Sequence, residues 1–261
     1  MAAVGQSKFF FLYSEFLDRP WPFPAYVVGG SALGYLVFVY GFCAATRPTS
    51  PAAVQRAQTL RYWHNIALML FSLVSFVATF YHLFESGELF SLNAMVCNPV
   101  PMWLWNLNLA FTLSKIWEWA DTMFLVWFKG TKDLQFLHVY HHTTTFWLYL
   151  HMTTLPGMLK MGILLNGLVH TLMYAHYAWP FPKKLVPFIT MSQIVQLGFG
   201  TWVWHITPDT CPKYATFHKD HPWEFATPYA FAPVYLLFFV KLFVERFLFG
   251  KGKKRSTKKI D

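Results

Sequence analysis

Long apolar runs separated by short polar loops set the pattern of this chain. Seven runs stand at approximately 24–45, 64–84, 102–128, 134–155, 158–179, 185–205 and 227–248. A hydrocarbon core about 30 Å thick takes roughly 20 apolar residues in a helix, and each run is long enough to cross it. Membrane barrel strands are about 10 residues long and alternate in polarity, which these runs do not. The expected fold class is all-α: a polytopic membrane protein of about seven transmembrane helices enclosing a polar-lined cavity. The runs take up most of the 261 residues, so one integral membrane domain over 1–261 is expected. It divides into a lumenal interfacial segment at 1–23, helices within 24–248 and a basic cytosolic tail at 249–261.

The polar positions inside the runs recur at helical spacing. His138, His141 and His142 fall on one helix face, three and four residues apart. Ionisable groups at membrane depth are expensive and face a bundle interior or a wet cavity, which makes this cluster a functional-site candidate. Lys115, Glu118, Asp121 and Thr122 form a stripe on the third segment. Asn166, His170, Tyr174 and Tyr177 form one on the fifth, and Thr190, Gln193 and Gln196 one on the sixth. Four helices thus turn polar faces away from lipid, toward a shared interior. A packing role competes at each stripe: an ion-pair network for Lys115, Glu118 and Asp121, and interhelical hydrogen bonding for Thr190, Gln193 and Gln196. Three imidazoles on one face exceed what packing uses. His64, His82, His151, His205, His218 and His221 read as interfacial.

Composition sharpens the class. The chain is 55% hydrophobic, 20% aromatic and 13% charged, with mean hydropathy +0.33, which excludes an ordinary soluble domain. No basic, apolar and small-residue leader opens the chain, so no removable signal peptide is expected. The aromatic run 9–13 with Trp21 and Phe23 reads as an interfacial belt. Arg47, Arg56, Arg61, Lys129, Lys132, Lys183, Lys184 and six tail residues lie on one side of the alternating loops. Lys8, Arg19, Lys160, Lys213 and Lys219 lie on the other, thirteen against five. The positive-inside rule then puts the N-terminus in the lumen and the C-terminus in the cytosol. Basic residues scattered in this way serve orientation and contact with anionic membrane lipids, not nucleic acid. Lys258 and Lys259, fourth and third from a cytosolic end, read as a dilysine retrieval signal of the endoplasmic reticulum membrane. Cys97 and Cys211 fall on the lumenal side, where oxidising conditions permit a disulfide between them, while Cys43 sits in the first apolar run.

The stripes together resemble the very-long-chain fatty acid elongase family, the 3-ketoacyl-CoA synthases of endoplasmic reticulum elongation. The resemblance rests on Lys115-x-x-Glu118-x-x-Asp121-Thr122, Phe136-Leu137-His138-Val139-Tyr140-His141-His142, Asn166-Gly167-Leu168-Val169-His170-x-x-Met173-Tyr174 and Thr190-x-x-Gln193-x-x-Gln196. It implies condensation of a long-chain acyl-CoA with malonyl-CoA to 3-oxoacyl-CoA, carbon dioxide and CoA, with no bound cofactor or metal. It points to His141 as the residue that forms an acyl-imidazole, oriented by His138 and His142, with His170 facing it from the next helix. Lys115, Glu118, Asp121, Asn166, Tyr174, Gln193 and Gln196 are the implied substrate contacts. The ketoreductase, dehydratase and enoyl reductase of the cycle are the implied partners, and homo-oligomers are compatible with the sequence. Two positions depart from the family pattern: His176 stands where a tyrosine is common, and Asp133 where polyunsaturated-type members often have glutamine.

Two other classes use similar residues. A membrane di-iron desaturase or hydroxylase needs histidines in several boxes, and this chain has one. A lipid or solute transporter would line a permeation path with the same stripes.

Overall fold

The computed structural model of the chain describes residues 23–153, 156–211, 214 and 222–249. The interfacial segment, the tail with Lys258 and Lys259, and His218 and His221 lie outside the described residues. Those described are helical, with no strand among them.

Each apolar run becomes a helical rod, the third in two pieces. The first is α1 (Phe23–Val37), continued by a wider turn at Phe38–Cys43. The second is α2 (Pro51–Glu85). It begins thirteen residues before the apolar run that announced it. Ser50 accepts a hydrogen bond from the Ala53 N–H, and Pro51 occupies the first turn, where a missing N–H costs nothing. Gly87, at φ 71°, turns the chain after α2 in a conformation that favours glycine. A short helix α3 (Leu92–Cys97) follows.

The third apolar run is broken into α4 (Met102–Trp117) and α5 (Trp119–Lys129) at Glu118. Broken backbone at membrane depth is tolerated where protein buries it or a cavity meets it. The remaining rods are α6 (Phe136–Met152), α7 (Pro156–Ala178), α8 (Val186–Thr210) and α9 (Pro222–Phe243), the last extended through Val244–Leu248. Two helices, Pro51–Glu85 and Gly157–Ala178, are long and apolar enough to cross a membrane by length and hydropathy alone. The others are shorter, interrupted or more polar, because α4 to α6 and α8 turn polar faces inward.

The most intimate helix pair is α2 with α7. Gly167 makes it so: a Cβ there would stand 3.2 Å from both the Phe76 Cβ and the Ser72 carbonyl oxygen. The main core, with Leu83, Phe111, Tyr149, Leu159, Ile163, Trp204 and Tyr235, fills the space where α6, α7, α8 and α9 meet α2 and α4.

One end of the bundle is closed by a cap built on α3. Cys97 and Cys211 form a disulfide with Cα atoms 5.6 Å apart. Tyr214 donates to the Val96 carbonyl at 3.0 Å, and Asn93 Nδ2 to the Thr210 carbonyl at 2.7 Å. Gly157 lies so close that a Cβ would stand 1.8 Å from the Val96 oxygen, so no other residue fits there without moving α7. Lys160 corrects the sequence reading. It is not a loop charge but a fully buried side chain, paired with Glu88 at 2.5 Å. Asn98 Nδ2 also donates to Glu88 Oε1, at 3.2 Å. A long apolar stretch in α7 concealed this, because the lysine's partner lies 72 residues earlier.

Candidate active site

Four helices deliver the polar stripes to one place. On α6, His138 and His142 stand with ring centroids 4.4 Å apart, and His141 and His142 with theirs 5.4 Å apart. His138 Nε2 is hydrogen-bonded to Thr122 Oγ1 at 2.8 Å, and Thr122 to the Tyr35 hydroxyl at 2.8 Å. Tyr35 and Thr122 are both fully buried. A buried phenol O–H must donate to be satisfied, so the chain runs from Tyr35 through Thr122 to His138 Nε2. The His138 proton then sits on Nδ1. His142 is held by its backbone, whose carbonyl accepts from Trp119 Nε1 at 3.0 Å.

His141 differs from its neighbours. Its ring packs edge-on against Tyr235 at 5.1 Å, and its Nδ1 is buried without a hydrogen-bond partner. The other ring nitrogen, Nε2, is the one left for chemistry.

Facing these histidines is an ionic cluster. Lys115 Nζ donates to Glu118 Oε1 at 2.7 Å and to Asn166 Oδ1 at 3.0 Å, and lies over the Phe111 and Tyr149 rings at 4.3 and 5.1 Å. His170 Nδ1 stands 3.4 Å from the same Glu118 oxygen. That contact is electrostatic and not a formed hydrogen bond, since Nδ1 has no partner in good geometry. Catalytic hydrogen bonds are often long before substrate arrives. Asp121 receives two donors: the Tyr174 hydroxyl at 2.6 Å and His64 Nε2 at 2.9 Å. His64 is therefore a correction to its reading as interfacial. It is 8% exposed and belongs to the site.

Two cavities meet at His141. The larger, about 2070 Å³ with the water at its mouth included, is a vestibule. Its walls carry all four site histidines with Glu118, Asp121, Asn166, Tyr174, Gln193 and Gln196. Lys129 and Arg246 stand in its walls, and Glu245 beside them. The smaller, about 740 Å³ with open solvent likewise included, is a tunnel walled by Leu148, Tyr149, Met152, Met158, Trp204, Tyr229 and their neighbours. His141, Asn166, Gln196 and Leu197 line both. A ligand with a charged head and an apolar chain would place the bond between them beside His141.

The sequence brought most of this set together. Lys115 belongs to the cluster but does not reach the vestibule wall: it is 2% exposed and occupied by Glu118 and Asn166. His176 does line the vestibule, and its Nδ1 accepts the Phe181 N–H at 2.8 Å, so this departure from the family pattern braces the turn after α7. Among the described residues no group of three histidine, cysteine or acidic side chains is arranged to hold a metal ion. His64, Tyr35, Tyr235, Lys129 and Arg246 escaped the reading by stripes. The position of His64 at the start of an apolar run was an available signal. Tyr35 and Tyr235 carried none, because aromatic residues make up 20% of the chain.

Comparison with known proteins agrees with the geometry. The profile of the GNS1/SUR4 family matches residues 21–257. Fatty acid elongase A of Dictyostelium discoideum is 28% identical over 236 residues, covering 87% of this chain and 84% of that protein. Long chain fatty acid elongase 1 of Caenorhabditis elegans is 30% identical over 243 residues, covering 85% and 78%. Fatty acid elongase 6 of Leishmania major is 33% identical over a shorter stretch of 133 residues, 49% of this chain and 35% of that protein. No solved structure matches the chain. With a polar vestibule, an apolar tunnel and a histidine cluster at their junction, the chain belongs to the GNS1/SUR4 (ELO) family of membrane fatty acid elongases, the 3-ketoacyl-CoA synthases that carry out the condensing step.

Proposed function

We propose that condensation proceeds through an acyl group carried on His141 Nε2. The observation that supports this is the position of His141 at the one junction of tunnel and vestibule, with its Nδ1 buried and unpartnered. In the first half-reaction Nε2 attacks the thioester carbonyl of acyl-CoA. The carbon–sulfur bond breaks, the acyl chain stays in the tunnel, and the CoA thiolate leaves and takes a proton from vestibule water. In the second, malonyl-CoA loses its carboxylate as carbon dioxide. The resulting enolate attacks the acyl carbon, and the carbon–nitrogen bond breaks to release 3-ketoacyl-CoA and free His141. Dividing one hard step into two is the usual gain of covalent catalysis.

The neighbours have distinct roles in this scheme. His170, beside Glu118, donates from its Nε2–H to the carbonyl oxygen as negative charge develops there. His138 and His142 orient His141. Lys115 positions Glu118 and Asn166 and does not touch CoA. The CoA phosphates meet Lys129 and Arg246 at the vestibule mouth, and Asn166, Gln193 and Gln196 serve the thioester region. Asp121 and Tyr174 shape the wall between them.

The same reading orients the chain in the endoplasmic reticulum membrane. The vestibule end, with Lys129 and Arg246, faces the cytosol. The cap end, with the Cys97–Cys211 disulfide, faces the oxidising lumen. Burial of Lys160 takes one residue from the lumenal count and sharpens the charge asymmetry. A 3-ketoacyl-CoA product calls for reduction, dehydration and a second reduction, so enzymes of those three classes are the natural neighbours.

Rapid-quench measurement with acyl-CoA alone tests the scheme. Close to one equivalent of free CoA per enzyme is expected before any malonyl-CoA is added, and none from His141→Ala. CoA that appears only after malonyl-CoA is added would overturn the two-step route and leave direct condensation.

A further inference from the structure

The acyl tunnel ends on side chains of unequal stiffness. Its far end lies against Met152, the last residue of α6, and Met158 and Met161 from the first turns of α7. From His141 to Met152 is eleven residues of helix, about 16 Å of rise. Behind the methionines the backbone is fixed. Gly157 is pressed onto the Val96 carbonyl, α3 is tied by the disulfide and by Tyr214, and Lys160 is locked to Glu88. The tunnel therefore cannot deepen by moving the cap; it can deepen only where a side chain gives way.

One position is built for that. Gly162 lines the tunnel, and a Cβ placed on it would stand 2.9 Å from the Met152 Cε, the nearest heavy atom to that point. The Met152 tip thus lies across bare α7 backbone at Gly162. Tyr149, whose hydroxyl donates to the Gly162 carbonyl at 3.3 Å, holds α6 and α7 together at that level. Methionine is unbranched and adapts its shape to what it touches. A fixed helix pair with a methionine tip between its members is a stop that yields to the end of a chain.

We infer that Met152, folded over Gly162, sets the longest acyl chain this enzyme extends. The inference rests on the tunnel holding the acyl chain, as in the reading above, and it adds the residues that terminate it. Met152→Ala removes the three outermost heavy atoms of the stop. It shifts the longest product up by at least one two-carbon cycle. Gly162→Leu fills the ground under the methionine and shifts it down by at least one cycle. The double variant exchanges the three heavy atoms lost for four gained and returns the profile toward wild type.

The experiment is an assay of kcat/KM across a panel of saturated acyl-CoAs of increasing length, with labelled malonyl-CoA, on purified enzyme shown to be monodisperse. Eight-carbon acyl-CoA, far shorter than the roughly 16 Å of rise between His141 and Met152, serves as the internal reference. Its kcat/KM stays near wild type in every variant, and its release of CoA without malonyl-CoA reports separately on the His141 scheme. Opposite shifts of the length profile with the reference unchanged support the stop. An unchanged profile in both single variants, or a uniform loss at all lengths including the reference, overturns it. Either result stands whichever way the CoA-release measurement falls.

Discussion

Two buried lysine–glutamate pairs, one beside the histidine cluster and one in the cap, have different surroundings. Lys115–Glu118 and Lys160–Glu88 are both almost wholly removed from solvent, at 2.7 and 2.5 Å. Each also engages an asparagine: Asn166 through Lys115, Asn98 through Glu88. The Glu88 carboxylate is closed within the cap. The Glu118 carboxylate has the His170 imidazole 3.4 Å away and a cavity wall beside it. Burial with pairing is what lets such charges survive inside protein. It takes an unsaturated partner and open space to turn the same motif into chemistry. The cap pair is therefore closed in by protein, and the vestibule pair faces an imidazole and a cavity.

Substitutions can break or sharpen this contrast, beginning with the largest expected effect. His141→Ala removes the ionisable side chain among the four that line both cavities, and condensation falls by on the order of 10³-fold or more. Membrane insertion and detergent-solubilised folding stay intact, since the ring makes no hydrogen bond that supports the fold. Turnover near wild type in labelled malonyl-CoA assays would remove the nucleophile assignment.

Glu118→Gln comes next. It leaves Lys115 charged and His170 without its attracting carboxylate, so activity drops roughly 10²- to 10³-fold. Stability also falls by about 3–5 kcal/mol, the cost of leaving one charge of a buried pair uncompensated. Denaturation midpoints and kcat measured on the same sample give both numbers.

Glu88→Gln should lose a comparable amount of stability, again about 3–5 kcal/mol. The turnover of the folded fraction stays near that of wild type with a short acyl-CoA. Lys160→Met added to it removes the stranded ammonium and restores part of the loss. If turnover fell as steeply as for Glu118→Gln, the two pairs would not differ as described.

Tyr35→Phe has the smallest effect. One buried hydrogen bond to Thr122 is lost, worth about 1 kcal/mol. His138 then loses the partner that fixes its tautomer through Thr122, so activity falls only a few-fold, in kcat more than in KM. A loss as large as that of Glu118→Gln would mean that the Tyr35–Thr122–His138 chain moves protons and does not merely orient a ring.

What could be read before folding depended on the range of the signal. The seven rods were legible because hydrocarbon thickness imposes a run length that nearby residues alone reveal. The histidine, Lys115, Asn166 and Gln193 stripes were legible because a helix converts intervals of three and four into a face. The break at Glu118 was not. It lies inside the polar stripe of the third run, whose spacing carries no mark of an interruption. Lys160 was misread for a related reason: a lysine near the end of a run looks like a loop charge until Glu88 is brought to it.

The amino-acid sequence by itself determined a helical membrane domain and the polar stripes within it. Those properties follow from local periodicity and from the cost of polar groups in hydrocarbon, which any stretch of chain expresses alone. Tertiary structure decided which stripe residues face the cavity and which stand behind it, as Lys115 does. It recruited His64 and Tyr35, set His141 at the junction of vestibule and tunnel, and laid Met152 over Gly162 in the tunnel wall. Each of these is a contact between residues far apart in sequence, fixed by how helices pack, and close packing has no counterpart in the periodicity of a single helix.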